Sequence, residues 1–243
     1  MIIDVIQTKS NFAYEFEVCY DKELTYRTSA SAKSLFNLDG NLIYEIKHMS
    51  KRDNIGMISF WIFSILVMVI CAYISNLPLK ILIIICLLIA LVLFTVLRKG
   101  KSRICEISDG FNDKIVVFSS NVEGFLNGYC SISFNNKELK LYTLSKSDYK
   151  YTSIYLDDTQ IGQINKHLRM VNNKNNYIIY LLDEHKSLAD LLSMFVIYID
   201  RFDTNRDEMI SYGVKKSWAW SYSKNNKFYD PTWITTHFTN LDQ

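Results

Sequence analysis

Apolar and polar residues alternate along most of this 243-residue chain, and two stretches break the alternation. Asn11–Tyr20 reads NFAYEFEVCY, with Phe12, Tyr14, Phe16, Val18 and Tyr20 at period two, which predicts a strand with one buried face. Met1–Thr8 and Leu24–Arg27 predict strands on either side of it. In Leu35–Lys47, Asp39–Gly40 supplies a hairpin turn and Leu42–Ile46 returns as a strand. Further strands are expected at Arg103–Ile107, Lys114–Phe118, Tyr129–Phe134, Glu138–Leu144, Thr152–Leu156, Gln160–Asn165 and Tyr177–Leu182, with Asn121–Gly128 a loop. Turn signals separate them at Asp109–Gly110, Asn135–Asn136, Asp157–Asp158 and 172–176. Asp200–Glu208 reads as a charged, exposed segment. SWAWSYS, with Trp218 and Trp220 in alternation, predicts another strand whose bulky face suits a core better than a ligand cage. The aromatic tail Lys224–Phe238 is expected to pack on the body.

The first break is Gly56–Ile74 and Ile81–Leu97, two apolar runs without a charge. As helices they span roughly 25–29 Å, close to the hydrocarbon thickness of a bilayer. The short link Ser75–Lys80 forces them antiparallel, so a transmembrane hairpin is expected over 55–98, with spans of about 56–74 and 79–97. A buried helical hairpin in a soluble core is the alternative. The flanks are basic: Lys47, Lys51 and Arg52 before, and Arg98, Lys99, Lys101 and Arg103 after, against Lys80 alone at the tip. The positive-inside rule then puts both termini in the cytoplasm of a two-span cell-membrane protein. The spans carry no ionisable carboxylate or amine, which argues against a pump or channel.

The second break is Leu188–Ile199, LADLLSMFVIYI, apolar on nearly every face and too short to cross a bilayer. It predicts a helix enclosed by protein, with Ser187 as its cap and Asp190 near its start. A central strand is the competing assignment.

Without the hairpin, residues 1–54 and 99–243 amount to one ordinary domain, and the shorter piece alone is marginal. The net charge of +2 leaves no basic stripe beyond the hairpin flanks, so nucleic acid is not an expected partner. Five cysteines, two of them in the spans and none in a CxxC, read as reduced thiols. His48, His167, His185 and His237 are scattered without metal-ligand spacing, and the acidic pairs read as turn and helix-flank residues. No metal, cofactor or catalytic residue is therefore expected, and the chain reads as a non-enzyme.

Leu35–His48 and Ile154–His167 align with Asp39 on Asp157, Ile43 on Ile161 and Ile46 on Ile164, each stretch being strand, acidic turn, strand and basic residue. An internal repeat, or chance, accounts for the match. YRTSASAKSLFNLDGNLIYEIK, TSIYLDDTQIGQINK, YIIYLLDE and LADLLSMFVIYIDRF together resemble the tubby C-terminal-like superfamily, which includes the LURP-one-related proteins and the phospholipid scramblases. The resemblance implies a mainly β fold: a closed antiparallel barrel of about twelve strands, in two repeats, around a central apolar helix. Two departures stand out. About 44 residues follow Ile199, and the hairpin lies inside the domain. No headgroup-binding residue carries over from the family.

The expected function is that of a non-enzymatic membrane protein whose cytoplasmic barrel binds lipid headgroups, anionic ones by preference, or a protein partner. Lys47, Lys51, Arg52, Arg98, Lys99, Lys101 and Arg103 are the candidate headgroup contacts, with plain topology signalling as the simpler reading of the same charges. A scramblase-like phospholipid transporter and a regulatory or immunity-type binding module are the alternatives.

Overall fold

The computed structural model describes residues 1–9, 14–51, 99–110, 115–123, 127–146, 149–167, 174–203 and 224–238, with scattered positions between 62 and 90. Twelve strands close into one barrel. The first five are β1 (Ile2–Lys9), β2 (Glu15–Tyr20), β3 (Glu23–Thr28), β4 (Ser34–Asn37) and β5 (Leu42–Lys51). The remainder are β6 (Lys99–Asp109), β7 (Ile115–Glu123), β8 (Asn127–Phe134), β9 (Lys137–Lys146), β10 (Tyr149–Leu156), β11 (Thr159–His167) and β12 (Asn176–Leu181). Each pairs antiparallel with its sequence neighbours, and β1 closes on β12 with Ile3 opposite Ile179 and Val5 opposite Tyr177. Antiparallel order makes the connections alternate between two ends. One end carries the links 20–23, 37–42, 109–115, 134–137 and 156–159; the other, called the lip below, carries 9–15, 28–34, 51–99, 123–127, 146–149 and 167–176.

The period-two pattern explains the wall. Ile3, Val5, Phe16, Val18, Ile107, Phe118, Ile132, Leu141, Ile154 and Ile179 are buried in one cluster, while their sequence neighbours on the strands face the other way. The interior is filled by the second apolar stretch. Leaving β12 at the end opposite the lip, the chain makes a 3-10 turn (Asp183–Leu188), enters helix α1 (Ala189–Tyr198) and finishes in a π-type turn (Ile199–Asp203) near the lip. α1 buries Ala189 and every residue from Leu191 to Tyr198. It packs against β1 and β5, and Phe118 of β7 meets Phe195 edge-on at 5.2 Å and Tyr198 at 5.6 Å. A helix walled on several sides must be apolar all round, as this one is.

Several expectations need correction. Ser187 does not cap α1: it lies within the 3-10 turn, the N-cap is Leu188, and no side chain bonds there. The turn already supplies backbone bonding, and Ala189 N–H donates to the Lys186 carbonyl. Asp200 is buried, not exposed. Asn121–Gly128 is not wholly a loop, since β7 runs to Glu123 and β8 starts at Asn127. Its polar residues read as loop, yet Asn121 Nδ2 donates to Ser131 Oγ at 2.9 Å, and the Ser119 and Ser131 hydroxyls lie 2.8 Å apart. Buried polar groups are at home in a sheet once each has a partner. The hairpin expected at 56–74 and 79–97 falls mostly outside the described residues, and among the described residues no helix is long and apolar enough to cross a membrane. Phe12, Trp218 and Trp220 also lie outside them.

The two aligned stretches are the β4–β5 and β10–β11 hairpins, six strands apart in a barrel of twelve. Each contains a bulge. Leu35 pairs with Tyr44 and Phe36 with Leu42, which leaves Ile43 as the extra residue. Ile154 pairs with Gly162 and Tyr155 with Gln160, which leaves Ile161. The aligned isoleucines are thus the bulged residues of both hairpins, and both are buried. The turns differ: Gly40 takes φ +82°, whereas Asp157 and Asp158 both take positive φ in a two-residue turn.

The tail packs on the outside of the wall. Phe228 stacks on Tyr142 at 3.7 Å, and Asn225 Nδ2 donates to the carbonyls of Gly128 (2.8 Å) and Thr143 (3.1 Å). Trp233, in the short helix α2 (Trp233–His237), is buried.

Two substitutions test this core. Phe195→Ala is expected to lower stability by about 3–5 kcal/mol, because a large side chain leaves a void between helix and wall. Gly162→Ala is expected to lower the melting temperature as well, since its methyl would lie 2.8 Å from the Tyr180 carbonyl oxygen and 3.2 Å from Ile154 Cδ1. Unchanged unfolding midpoints would place neither residue in a packed interior.

Candidate functional site

The lip gathers part of the basic set. Lys51, at the end of β5, stands in register opposite Arg103 of β6, and β6 continues back through Lys101 to Lys99. On the other side of β6, Lys101 is opposite Asn121 and Lys99 opposite Glu123. Lys51, Lys99, Lys101 and Arg103 therefore share one corner of the barrel, where residues 52–98 leave and return. Arg52 and Arg98 lie outside the described residues. Lys47 is set apart: it is the extra residue of a bulge between Ile46 and His48, and its ammonium is 2.7 Å from Glu45 Oε2 on the exposed surface. Four residues of strand carry it roughly 13 Å from Lys51.

Inside the same end lies a polar group that the chain pattern left unmarked. Asp200 follows α1 directly, and its side chain is 1% exposed. Asn175 Nδ2 donates to its Oδ1 at 2.7 Å, the Tyr177 hydroxyl donates at 2.5 Å, and the Lys166 ammonium stands 3.6 Å away. Lys166 Nζ also lies 5.0 Å over the Tyr177 ring. Two hydrogen-bond donors and a nearby ammonium on one oxygen let a carboxylate remain inside the barrel, and Asp200 Oδ2 is buried without a hydrogen-bond partner among the described residues. A signal did exist in the sequence. Lys150, Thr152 and Ile154 share one phase of β10, and Gly162, Ile164 and Lys166 share one phase of β11. A lysine in the apolar phase of a strand marks an inward charge.

A second carboxylate holds the opposite end of α1. Asp190 accepts a hydrogen bond from the Tyr20 hydroxyl, and Tyr20 meets Tyr26 edge-on at 5.5 Å. Burial, then the Asp190 charge, raises the Tyr20 phenol far above its ordinary value, and the same two causes push Tyr26 up to about 12. Burial first, then Asp109, pushes Tyr44 up to about 12. These groups hold the N-terminal end of α1 against β2.

Among the described residues no three His, Cys, Asp or Glu side chains are grouped to hold a metal ion. Cys19, Cys105 and Cys130 form no disulfide among the described residues, with Cys105 buried and its thiol pushed up to about 12 by burial first and by Glu106 second. Comparisons with family models, with curated proteins and with solved structures return no match.

Two outcomes follow from the ends of α1. Lys166→Met strands the Asp200 carboxylate and is expected to cost about 3–5 kcal/mol, part of which Lys166→Met combined with Asp200→Asn restores. Equal melting temperatures for the single and double variants would disprove the coupling. Because the folded values of Tyr26 and Tyr44 are raised above the ordinary 10.0, their contribution to stability is complete below pH 10 and is lost as pH rises through about 12. Absorbance titration at 295 nm is expected to show these phenols ionising only together with alkaline unfolding.

Proposed function

We propose that this chain is a non-enzymatic, two-span membrane protein whose tubby-like barrel is held against the cytoplasmic face and recognises anionic lipid headgroups there. The observation that carries the reading is the way 52–98 joins the barrel. β5 and β6 are antiparallel neighbours, with Lys51 opposite Arg103, so the whole insertion stands where a hairpin turn would otherwise be. A transmembrane hairpin whose ends are adjacent fits that place, because both of its ends return to one side of the bilayer.

Side-chain exposure adds support. The described positions between 62 and 90 are helical, and Ile62, Ile65, Val69, Tyr73, Ile81, Ile84, Leu88 and Ile89 are all exposed. A concentration of exposed apolar residues of this kind calls for a lipid or protein cover. With the hairpin in a bilayer, the lip faces the headgroups, and Lys51, Lys99, Lys101 and Arg103 lie at the interface. Each such charge near an anionic leaflet contributes about 1 kcal/mol. Lys47, lower on the wall and already beside Glu45, contributes less to this contact. The barrel of twelve antiparallel strands and the buried apolar helix agree with the resemblance to the tubby C-terminal-like superfamily, and the matched bulges at Ile43 and Ile161 suit its two-repeat plan.

The test uses the body alone. With Gly56–Leu97 replaced by a Gly/Ser linker, β5 and β6 remain neighbours, and cooperative thermal unfolding is expected. The folded body should float with vesicles of phosphatidylcholine and phosphatidylglycerol at low salt, lose that binding as salt rises, and ignore pure phosphatidylcholine. A folded body that ignores the anionic vesicles ends the headgroup reading and turns attention to a protein partner. In intact cells, a membrane-impermeant cysteine or protease probe is expected to miss 1–50 and 104–243; outside labelling of either segment reverses the orientation.

A further inference from the structure

The wall of the barrel has a seam between β8 and β9. The two strands pair from Phe134–Lys137 to Cys130–Leu141 and, among the described residues, no further, although β8 begins at Asn127 and β9 runs on to Lys146. Continued in the same register, Gly128 and Thr143 would form the second pair beyond that point. Their carbonyls accept instead from one side chain of the tail: Asn225 Nδ2 donates to Gly128 at 2.8 Å and to Thr143 at 3.1 Å. Asn225 belongs to the 3-10 turn Lys224–Phe228 and is buried. The same turn is fastened to the outer wall by Phe228, which stacks on Tyr142 at 3.7 Å and whose carbonyl accepts from the Tyr155 hydroxyl at 3.3 Å. Behind the seam lies a cavity of about 80 Å³. Cys130 and Thr143, one from each strand of the seam, line it on the wall, and Phe195 and Val196 of α1 line it from within.

In an unbroken ladder a wall carbonyl is satisfied by the neighbouring strand, and passage through the wall means breaking strand pairs. At this seam the closing donor comes from residues 97 and 82 positions away along the chain, on a segment packed outside. That donor can withdraw without breaking any strand pairing. Water then bonds the two carbonyls, so the opened seam leaves no backbone group unsatisfied. The cavity exceeds several-fold the roughly 10–15 Å³ that one water needs, which gives room for a molecule of a few heavy atoms. Its lining includes Ile164, Phe195, Val196 and Ile199, and Lys166 is already engaged by Asp200 at 3.6 Å, so an uncharged guest suits it. We propose that the β8–β9 seam is a side entrance through which small uncharged molecules reach this cavity, and that the tail turn Lys224–Phe228 is the plug that closes it. The entrance stands on the barrel wall and the tail alone and goes beyond the headgroup reading, which it does not require.

Cys130 lines the cavity at the seam and reports on entry. Cys105, buried on β6 and paired on both sides with Met49 and Phe118, reports on general loosening of the wall. The experiment follows both thiols by peptide-resolved mass spectrometry in the full chain in a neutral detergent. The entering probe is methyl methanethiosulfonate, which is small and uncharged; a maleimide carrying a polyethylene glycol chain is the bulky comparison. Asn225→Ala removes both carbonyl bonds and is expected to speed modification of Cys130 by the small probe about tenfold, as the opened population rises with the loss of two hydrogen bonds. Cys105 should keep its original rate, and the bulky probe should gain little at Cys130. Phe228→Ala, which takes away the stacking on Tyr142, is expected to act in the same direction and serves if Asn225→Ala does not fold. An unchanged Cys130 rate in the folded variants overturns the plug and leaves the lip as the way in. An equal rise at Cys105, or an equal gain for the bulky probe, overturns it as well, because the wall has then come apart and no entrance has opened.

Discussion

A closed barrel of twelve strands encloses more volume than its own inward side chains fill, and the fold depends on how that volume is occupied. Here the occupant is α1, and the requirement runs both ways. The helix has no polar face because wall strands stand on several sides of it, with β1, β5 and β7 among its contacts. The wall in turn can alternate inward and outward residues cleanly because one apolar cylinder meets its inner positions. Neither part buries its surface alone. Closure also removes the exposed strand edges that an open sheet of this size would present.

Polar groups fix the helix lengthwise. Asp190 bonds to Tyr20 at one end and Asp200 to Asn175 and Tyr177 at the other, so an otherwise featureless apolar rod cannot slide. The carboxylate at the lip does more than register the helix. It holds Lys166 inside the wall, beside Lys150 and the paired threonines, and so sets a polar pocket into an apolar interior. Lys51, Lys99, Lys101 and Arg103 stand on strand ends at the same lip, beside the place where 52–98 joins the barrel. The opposite end is occupied by tight turns and the Tyr20–Asp190 group.

The β5–β6 connection joins adjacent antiparallel strands at the lip. Bulges at Ile43 and Ile161 occur at the same place in hairpins six strands apart, each turning an extra isoleucine into the core. Because β5 and β6 are already neighbours in the barrel, lengthening the connection between them leaves every ladder intact. Loop closure grows only slowly with length, so a long insertion between adjacent strands costs little beyond a turn.

The sequence by itself determined the strand-rich class, nearly every strand centre and the enclosed helix at Leu188–Ile199, because period two, turn residues and an all-apolar run are local signals. It misread places where a tertiary partner changes what a residue type means. Asn121 looked like loop and is a strand residue because Ser131 satisfies it; Asp200 looked like a solvated flank and is buried because hydrogen bonds from Asn175 and Tyr177 and the ammonium of Lys166 converge on it. Ser187 looked like a cap, but the 3-10 turn before α1 had already supplied the bonds. The candidate set was legible only as a cluster of basic letters. Register decided that Lys51 stands opposite Arg103 while Lys47 bulges away beside Glu45. The inner lysines, sixteen positions apart in the chain, become neighbours only when β10 folds back on β11, since antiparallel pairing alone fixes which residues face each other across a sheet.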